Sequence, residues 1–374
     1  MTFSPSQFLS QHWQKSPVVL RRFFTDFEDP IDEHDLAGLA QEEDVDSRII
    51  AYADNQWHVT HGPIASFDEA CQGQWTLLVQ AVDRYIPEVS ELMAAFDFIP
   101  YWRMDDVMIS FANPGAGVGP HEDQYDVFLI QGKGSRQWRV GEPGQYTEHF
   151  PHPNLRQLQT FPTWKTFTLY PGDVLYIPPG WPHDGIAESD CLTYSIGFRA
   201  PDTALLAQQL AEGLIGGELT GERYSDPELA TRSHPAMVNQ SEITALKQLL
   251  LSQLSSTEFD QNLMRFLSDQ QLPYNLPDSL LTTEELCHEL EDGATYVLAS
   301  GCHPIYPQRQ PADHFLFYVN GEQFTASYND RESVECLLKG DPVDAAWMRT
   351  LSTLAFMDIM TILINKGYWE RMDT

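Results

Sequence analysis

The sequence predicts a mainly β chain with added helices: a double-stranded β-helix, or jelly roll, over residues 1–200, a helical module over 201–300, and a winged-helix-like domain over 301–374. Three observations carry this. Between Val107 and Ala200, short β-rich runs are punctuated by Gly and Pro, the texture of a sandwich or barrel. Past Pro201 the apolar residues take up helical spacing. Near the end, Asn320-Gly321 sits between two apolar runs, a strong two-residue turn signal, ahead of a further helical stretch.

Taken in order, Phe8, Trp13, Val18, Val19 and Leu20 read as a helix leading into a short apolar strand, with Arg21 and Arg22 behind it. The β-rich body gives strands at 107–111, 127–131, 136–140, 166–170, 174–177 and 192–198. A helix opens over 204–210 and fades near Gly213, Gly216 and Gly217. Ile243, Leu246, Leu250 and Leu254 keep helical spacing behind the candidate cap Ser241, and Thr282 with Glu285 forms a capping box before another helix. Residues 315–319 and 323–325 flank the Asn-Gly turn, and 343–365 is apolar at helical spacing, stopping at Gly367.

With 374 residues and 42% hydrophobic content, the chain can build two or three real cores. Gln7, Gln11, His12, Gln14 and Lys15 interrupt any apolar stretch near the start, and no run of about 18 apolar residues occurs later, so a cytoplasmic protein without membrane span is expected. Five scattered cysteines without a C-x-x-C pair indicate reduced thiols; Cys287-His288 and Cys302-His303 lack the usual structural-zinc spacing. The balance of 22 basic against 54 acidic residues opposes nucleic-acid phosphates and suits a basic polypeptide partner, though acidic surfaces also serve solubility alone.

The chemistry concentrates in His121-Glu122-Asp123 and in His183 of Pro178-Pro179-Gly180-Trp181-Pro182-His183. On a strand, His121 and Asp123 share a face, and a distant His183 completes a facial two-histidine, one-carboxylate set suited to ferrous iron. Three protein ligands leave three positions, two for a 2-oxo acid and one for dioxygen. The distal carboxylate of such an acid needs a cation. Arg136 alternates with Trp138 and Val140 on an apolar face, and an arginine there must find an anion. If Lys133-Gly134 makes a two-residue turn, Arg136 pairs opposite Gln131, which shares parity with His121 and Asp123. A straight strand from Asp123 to Gln131 would then span about 26 Å, too long for a five-carbon acid, so the chain must bend around 124–126. Ser110 offers a second hydrogen bond to the acid. The glycines of 115–119 lack the spacing of a phosphate loop.

These residues, with Gln131-Gly132, Arg136-Gln137-Trp138-Arg139-Val140 and Pro171-Gly172-Asp173, resemble the Jumonji-C (JmjC, cupin) ribosomal oxygenases, in particular bacterial ribosomal-protein arginine hydroxylases. The resemblance covers nearly the whole chain. It implies iron(II) held by His121, Asp123 and His183, 2-oxoglutarate as cosubstrate on Arg136, dioxygen as oxidant, and an arginine of a basic large-subunit ribosomal protein as substrate. It also implies a homodimer through 201–300, and it makes Asp105, Asp106, Tyr125 and Asp126 candidates for surrounding a cationic side chain. The winged-helix-like domain has few basic residues, so no direct DNA binding is expected. Three rivals stand beside this reading: a JmjC oxygenase acting on histidine or methyl-lysine, a non-catalytic cupin ligand sensor joined to a winged-helix regulator, and a metal-dependent sugar isomerase.

Overall fold

The computed structural model describes residues 3–272, 276–277 and 279–372. They form two compact units, one running to Ala200 with Ala299–Gly301, the other comprising Pro201–Leu298 and the chain from Cys302 onward. No helix among the described residues is long and apolar enough to cross a membrane.

The strands of the first unit are β1 (Val18–Leu20), β2 (Ser47–Ala53), β3 (Gln56–His61), β4 (Gln74–Val79), β5 (Met104–Ala112), β6 (Asp126–Gln131), β7 (Arg136–Val140), β8 (Glu148–His152), β9 (Leu155–Leu158), β10 (Lys165–Leu169), β11 (Val174–Ile177), β12 (His183–Ala187) and β13 (Cys191–Phe198). An eight-stranded sheet has the order β1-β11-β6-β13-β5-β4-β2-β3, and a three-stranded sheet the order β10-β7-β12.

The central strand β13 pairs with β5 on one side and β6 on the other and is buried throughout. Its alternate residues Leu192, Tyr194, Ile196 and Phe198 join an outer core with Phe8, Phe96, Phe128 and Tyr176. Period two therefore sends Cys191, Thr193 and Ser195 to the opposite face, toward the smaller sheet. There, Val127, Leu129, Leu175 and Ile177 of the large sheet pack on Trp138, Val140 and Leu169 of the small one. Two sheets packed face to face in this way are the expected jelly roll.

The opening segment is the expected helix and strand. Ser4 caps the helix Pro5–Gln11, which buries Phe8 with its ring centroid 5.0 Å from Tyr176 and 5.4 Å from Phe128. Burying an aromatic of this size contributes about 1.5–3 kcal/mol, which anchors the helix on the sheet. β1 follows as an edge strand on β11. Strands β2, β3 and β4 lie outside the expected set. The β2–β3 hairpin turns at Asp54-Asn55 with both φ angles positive, 51° and 58°, so it is a glycine-free turn with a weak sequence signature.

In the second unit, the helix Thr203–Gly216 runs through Gly213 instead of fading there, and ends at Gly217 with φ +82°. Gly213 is needed for space, since a Cβ would lie 2.8 Å from Leu219 Cδ1. The helix Gln240–Leu254 begins behind Asn239, not Ser241: the Glu242 carboxylate accepts the Asn239 N–H at 2.6 Å. Thr282 and Glu285 do form the expected capping box on Thr283–Glu291. After β14 (Tyr296–Leu298), β15 (His314–Val319) and β16 (Glu322–Ser327) fold around Asn320-Gly321, and β17 (Trp369–Arg371) pairs back on β14. The stretch 343–365, apolar at helical spacing, holds two helices, Ala345–Met348 and Ala355–Asn365, and Asp330 accepts the Ser352 N–H at 2.6 Å between them. The second unit thus takes in residues from both of the expected modules, 201–298 and 302 onward. Ser268, ending the helix Thr257–Ser268, accepts the Gly321 N–H of the hairpin turn at 3.1 Å.

Asp126, a sequence candidate for the substrate's surroundings, is instead a buried structural anion. It accepts hydrogen bonds from Arg103 Nη2 at 2.9 Å, Tyr176 Oη at 2.5 Å and Gln14 Nε2 at 3.0 Å, and has no exposed surface. Asp126→Ala strands the Arg103 guanidinium, so a loss of about 3–5 kcal/mol in unfolding free energy is expected in denaturant titration, with Asp126→Asn less affected.

Candidate metal centre

The backbone brings the two histidines together before their side chains are considered. His121 N–H donates to His183 carbonyl at 2.9 Å, and His183 N–H returns a bond to His121 carbonyl at 2.8 Å, a closed antiparallel pair. The approach to this pair needs glycine. A Cβ on Gly117 would sit 2.3 Å from the Gly185 carbonyl, and Gly119 has φ +82°. The alternation argument for His121 and Asp123 does not hold, because no strand covers 122–125 and β6 starts only at Asp126. Asp123 is placed by its own carbonyl, which accepts the Gly180 N–H at 2.8 Å.

Each imidazole is oriented in the same manner. His121 Nδ1 donates to the Gly119 carbonyl at 2.9 Å and His183 Nδ1 to the Trp181 carbonyl at 2.9 Å, which leaves both Nε2 lone pairs free. These nitrogens face one carboxylate oxygen: Asp123 Oδ2 is 4.0 Å from His121 Nε2 and 3.6 Å from His183 Nε2. One ligand atom from each of the three residues lies within 4.8 Å of the others, the only such group found among the described residues. Burial, and secondarily the neighbouring His121, push His183 down to about 4, so it is neutral at physiological pH. A neutral imidazole is the form that binds a metal. Cys287-His288 and Cys302-His303 form no comparable group, and all five cysteines are free thiols.

Arg136 arrives by a different route from the hairpin expected of Lys133-Gly134. β6 pairs with β11 and β13, whereas β7 pairs with β10 and β12. The turn, with Gly134 at φ +75°, carries the chain from one sheet to the other. Arg136 therefore faces Ser110 from across the barrel, its Nη1 3.4 Å from Ser110 Oγ. Val140 pairs with His183 in register, which puts Arg136 four residues, about 13 Å of strand, from the histidine level. That interval suits an arginine side chain reaching toward a five-carbon diacid and removes the distance problem of a continuous strand. Arg136 is 5% exposed, yet its Nε and Nη2 have no partner. A buried cation with two idle donors is shaped for an anion.

Trp138 forms the wall between these two ends. Its ring centroid lies 5.9 Å from that of His183 and 5.6 Å from Arg136 Cζ. The ring lies against Gly185, its register partner on β12, where a Cβ would approach ring carbons to 2.6 Å.

Sequence reasoning assigned no site role to Trp138, Gly185, Gln131 or Thr193. For Thr193 a signal existed, since Leu192-Thr193-Tyr194-Ser195-Ile196 alternates cleanly and turns the hydroxyls inward; for Gly185 there was none. Of the acidic candidates, Asp105 pairs with Arg199 at 3.2 Å. Asp106 accepts the Ala81 N–H at 3.0 Å and is pushed up to about 6 by burial and then by Asp105. Partial burial, followed by the charges of Asp123, Asp106 and Asp105, raises the Tyr125 phenol well above its ordinary value, which places that hydroxyl in the acidic field beside the ligand loop.

Comparison with known proteins finds two family models on the chain, a JmjC domain over residues 91–206 and a ROXA-like winged helix over 245–370. The chain is 40% identical to the ribosomal protein uL16 3-hydroxylase of Escherichia coli, over 99% of this chain and 98% of that protein. It is 32% identical to a probable ribosomal oxygenase of Haemophilus influenzae, over 93% and 89%. The solved structure of YcfD, a ribosomal oxygenase from Escherichia coli in complex with cobalt and 2-oxoglutarate, superposes with a TM-score of 0.89 at 38% identity, over 100% of this chain and 99% of that one.

The contact between Trp138 and Gly185 gives a direct test of how the cavity is held open. Gly185→Ala forces the ring away from β12, and overpacking of this kind costs about 1–3 kcal/mol. The expected outcome is a lower thermal midpoint and weaker manganese(II) binding by calorimetry, with Ile186→Ala, a change at the exposed neighbour, leaving both unchanged.

Proposed function

Because the chain belongs to the JmjC ribosomal oxygenases, we propose that it is an iron(II)- and 2-oxoglutarate-dependent hydroxylase acting in the cytoplasm on an arginine side chain of a large-subunit ribosomal protein. The observation that carries this is the coexistence, in one barrel, of the His121, Asp123 and His183 donor set and the buried, unpaired guanidinium of Arg136. In this reading His121, Asp123 and His183 hold the iron, while Arg136, with Ser110 beside it, binds the distal carboxylate of the cosubstrate.

When bound, iron and 2-oxoglutarate supply the oxidation: the 2-oxo acid is cleaved to succinate and carbon dioxide, one atom of dioxygen enters succinate, and the other is placed on a substrate carbon. The protein's own work is arrangement. The carbonyls of Gly119 and Trp181 fix the histidine tautomers, and Trp138 closes the cavity between cosubstrate and ligands. A cationic substrate side chain is favoured by the field of Asp105 and Asp106, with the Tyr125 hydroxyl oxygen beside it as an acceptor. The relative named for uL16 makes that protein the first substrate to test.

The same reading assigns the helix Gln240–Leu254 to a homodimer contact through residues 201–300. No residue of this helix is buried, and Ile243, Leu246, Leu250 and Leu254 form one stripe, 37–57% exposed. The winged-helix-like region then acts in protein contacts and not on DNA, in keeping with 54 acidic against 22 basic residues.

Two measurements test these assignments. Incubation with iron(II), 2-oxoglutarate, oxygen and purified uL16 is expected to add one oxygen atom to a single arginine, located by tandem mass spectrometry, with matching succinate and none from His121→Ala; addition on histidine or loss of methyl groups would overturn the arginine assignment. In sedimentation, the wild type is expected as a dimer and Leu246→Asp/Leu250→Asp as a folded monomer.

A further inference from the structure

Ser110, Thr193 and Gln131 lie side by side on β5, β13 and β6, Thr193 being the direct register partner of both neighbours. All three are buried, with Thr193 at 0% exposure, and as register partners they share the sheet face on which Arg136 reaches Ser110 from the opposite sheet. Such register partners hold their Cβ atoms about 4.5–5.5 Å apart, so a group seated on Ser110 Oγ is within reach of Thr193.

The hydrogen-bond inventory of this row is incomplete: Gln131 Oε1 is an acceptor without a donor, and the other open positions are donors. Gln131 spends its amide N–H groups on the carbonyls of Leu192 at 3.0 Å and Lys133 at 3.2 Å. Ser110 Oγ accepts from Arg136 Nη1, which leaves its own proton free to donate. Thr193 Oγ1 has no partner at all, and Arg136 Nε and Nη2 are equally idle. Leaving a buried hydroxyl unpaired costs about 1–3 kcal/mol, and here it faces the same space as two unpaired guanidinium donors. Three kinds of donor thus stand against one idle acceptor, Gln131 Oε1, so donors are in excess here.

We infer that Thr193 is a cosubstrate-binding residue: its hydroxyl donates to the distal carboxylate of 2-oxoglutarate, completing with Arg136 and Ser110 a three-sided anion site. This rests on the proposed 2-oxoglutarate dependence. The hydroxyl is then held unpaired at a cost to the empty protein, and the two effects of removing it have opposite signs. A valine fills the same volume without the unpaired group, so the free protein gains stability while the bound one loses a charge-assisted hydrogen bond.

The experiment compares wild type, Thr193→Val and Thr193→Ser, each full length and loaded with manganese(II). Binding of 2-oxoglutarate is measured by calorimetry, as is binding of 2-oxopentanoate, which has the same chain length but no distal carboxylate. Expected are a higher thermal midpoint for metal-free Thr193→Val, unchanged manganese binding, 2-oxoglutarate affinity reduced about tenfold or more, near-normal affinity in Thr193→Ser, and equal affinity of wild type and Thr193→Val for 2-oxopentanoate. If Thr193→Val binds 2-oxoglutarate as wild type does, or loses affinity equally for both acids, Thr193 does not touch the carboxylate. If wild type with manganese does not bind 2-oxoglutarate, the cosubstrate assignment itself fails and this inference falls with it.

Discussion

The first unit depends on the alternation of one strand. β13 is hydrogen-bonded along both edges, so its register is fixed twice over, and its two faces meet entirely different surroundings. Tyr194, Ile196 and Phe198 enter an aromatic core that pins the N-terminal helix, while Thr193 and Ser195 face the cavity. A one-residue slip would exchange these sets, placing hydroxyls among phenylalanines and aromatic rings where the cavity must stay open. The outer core is thus the force that sets the position of each polar group inside the barrel. Stability and site geometry are specified by the same residues, read on alternate positions.

Two of the buried charged residues in the barrel are handled in opposite ways. Asp126 lies at the start of β6 and is compensated within the protein by Arg103, Tyr176 and Gln14. Arg136 starts the next strand in sequence, on the facing sheet, and has beside it the Ser110 hydroxyl and the Cys191 thiol in place of a carboxylate. The first arrangement ties the N-terminal segment and β11 to the sheet. The second keeps an electrostatic demand unanswered in a closed space. Both are charged side chains in similar burial, so the partner list, not the burial, separates a structural charge from a binding one.

Much of this was legible from residues alone, and the limits are informative. The strands over 127–131, 136–140, 174–177 and 192–198 showed because apolar alternation and Gly/Pro punctuation are local properties. Ser110, His121, Asp123, Arg136 and His183 stood out because polar groups in such a setting require an explanation, and the structure brings all five into one barrel. How they come together is less legible: alternation puts His121 and Asp123 on a strand and the Lys133-Gly134 turn puts Arg136 across a hairpin, whereas a backbone bridge and a change of sheet do the work. Strand pairing between distant segments is set by global packing, which no short window contains. Gly185 shows the same limit at one residue: its need for a bare Cα comes from Trp138, forty-seven positions earlier in sequence. Asp126, ranked beside Asp105 and Asp106 on charge alone, could be told apart only by knowing its partners.

The reciprocal backbone bond between His121 and His183 has a consequence for metal supply. Because main-chain hydrogen bonds align the two imidazoles, and carbonyls fix their tautomers, an incoming ion finds the donors already assembled. Little binding energy goes to ordering the chain, so an ion can leave and another enter without unfolding. Ferrous iron stands below cobalt, nickel and copper in affinity for nitrogen and oxygen donors of this kind, and the relative solved in complex with cobalt illustrates the permissiveness. A ready-made, exchangeable centre cannot choose iron by tightness of grip. Its occupancy follows the ratio of the free divalent ions around it, so metal supply joins oxygen and 2-oxo acid among the quantities on which turnover at such a centre depends.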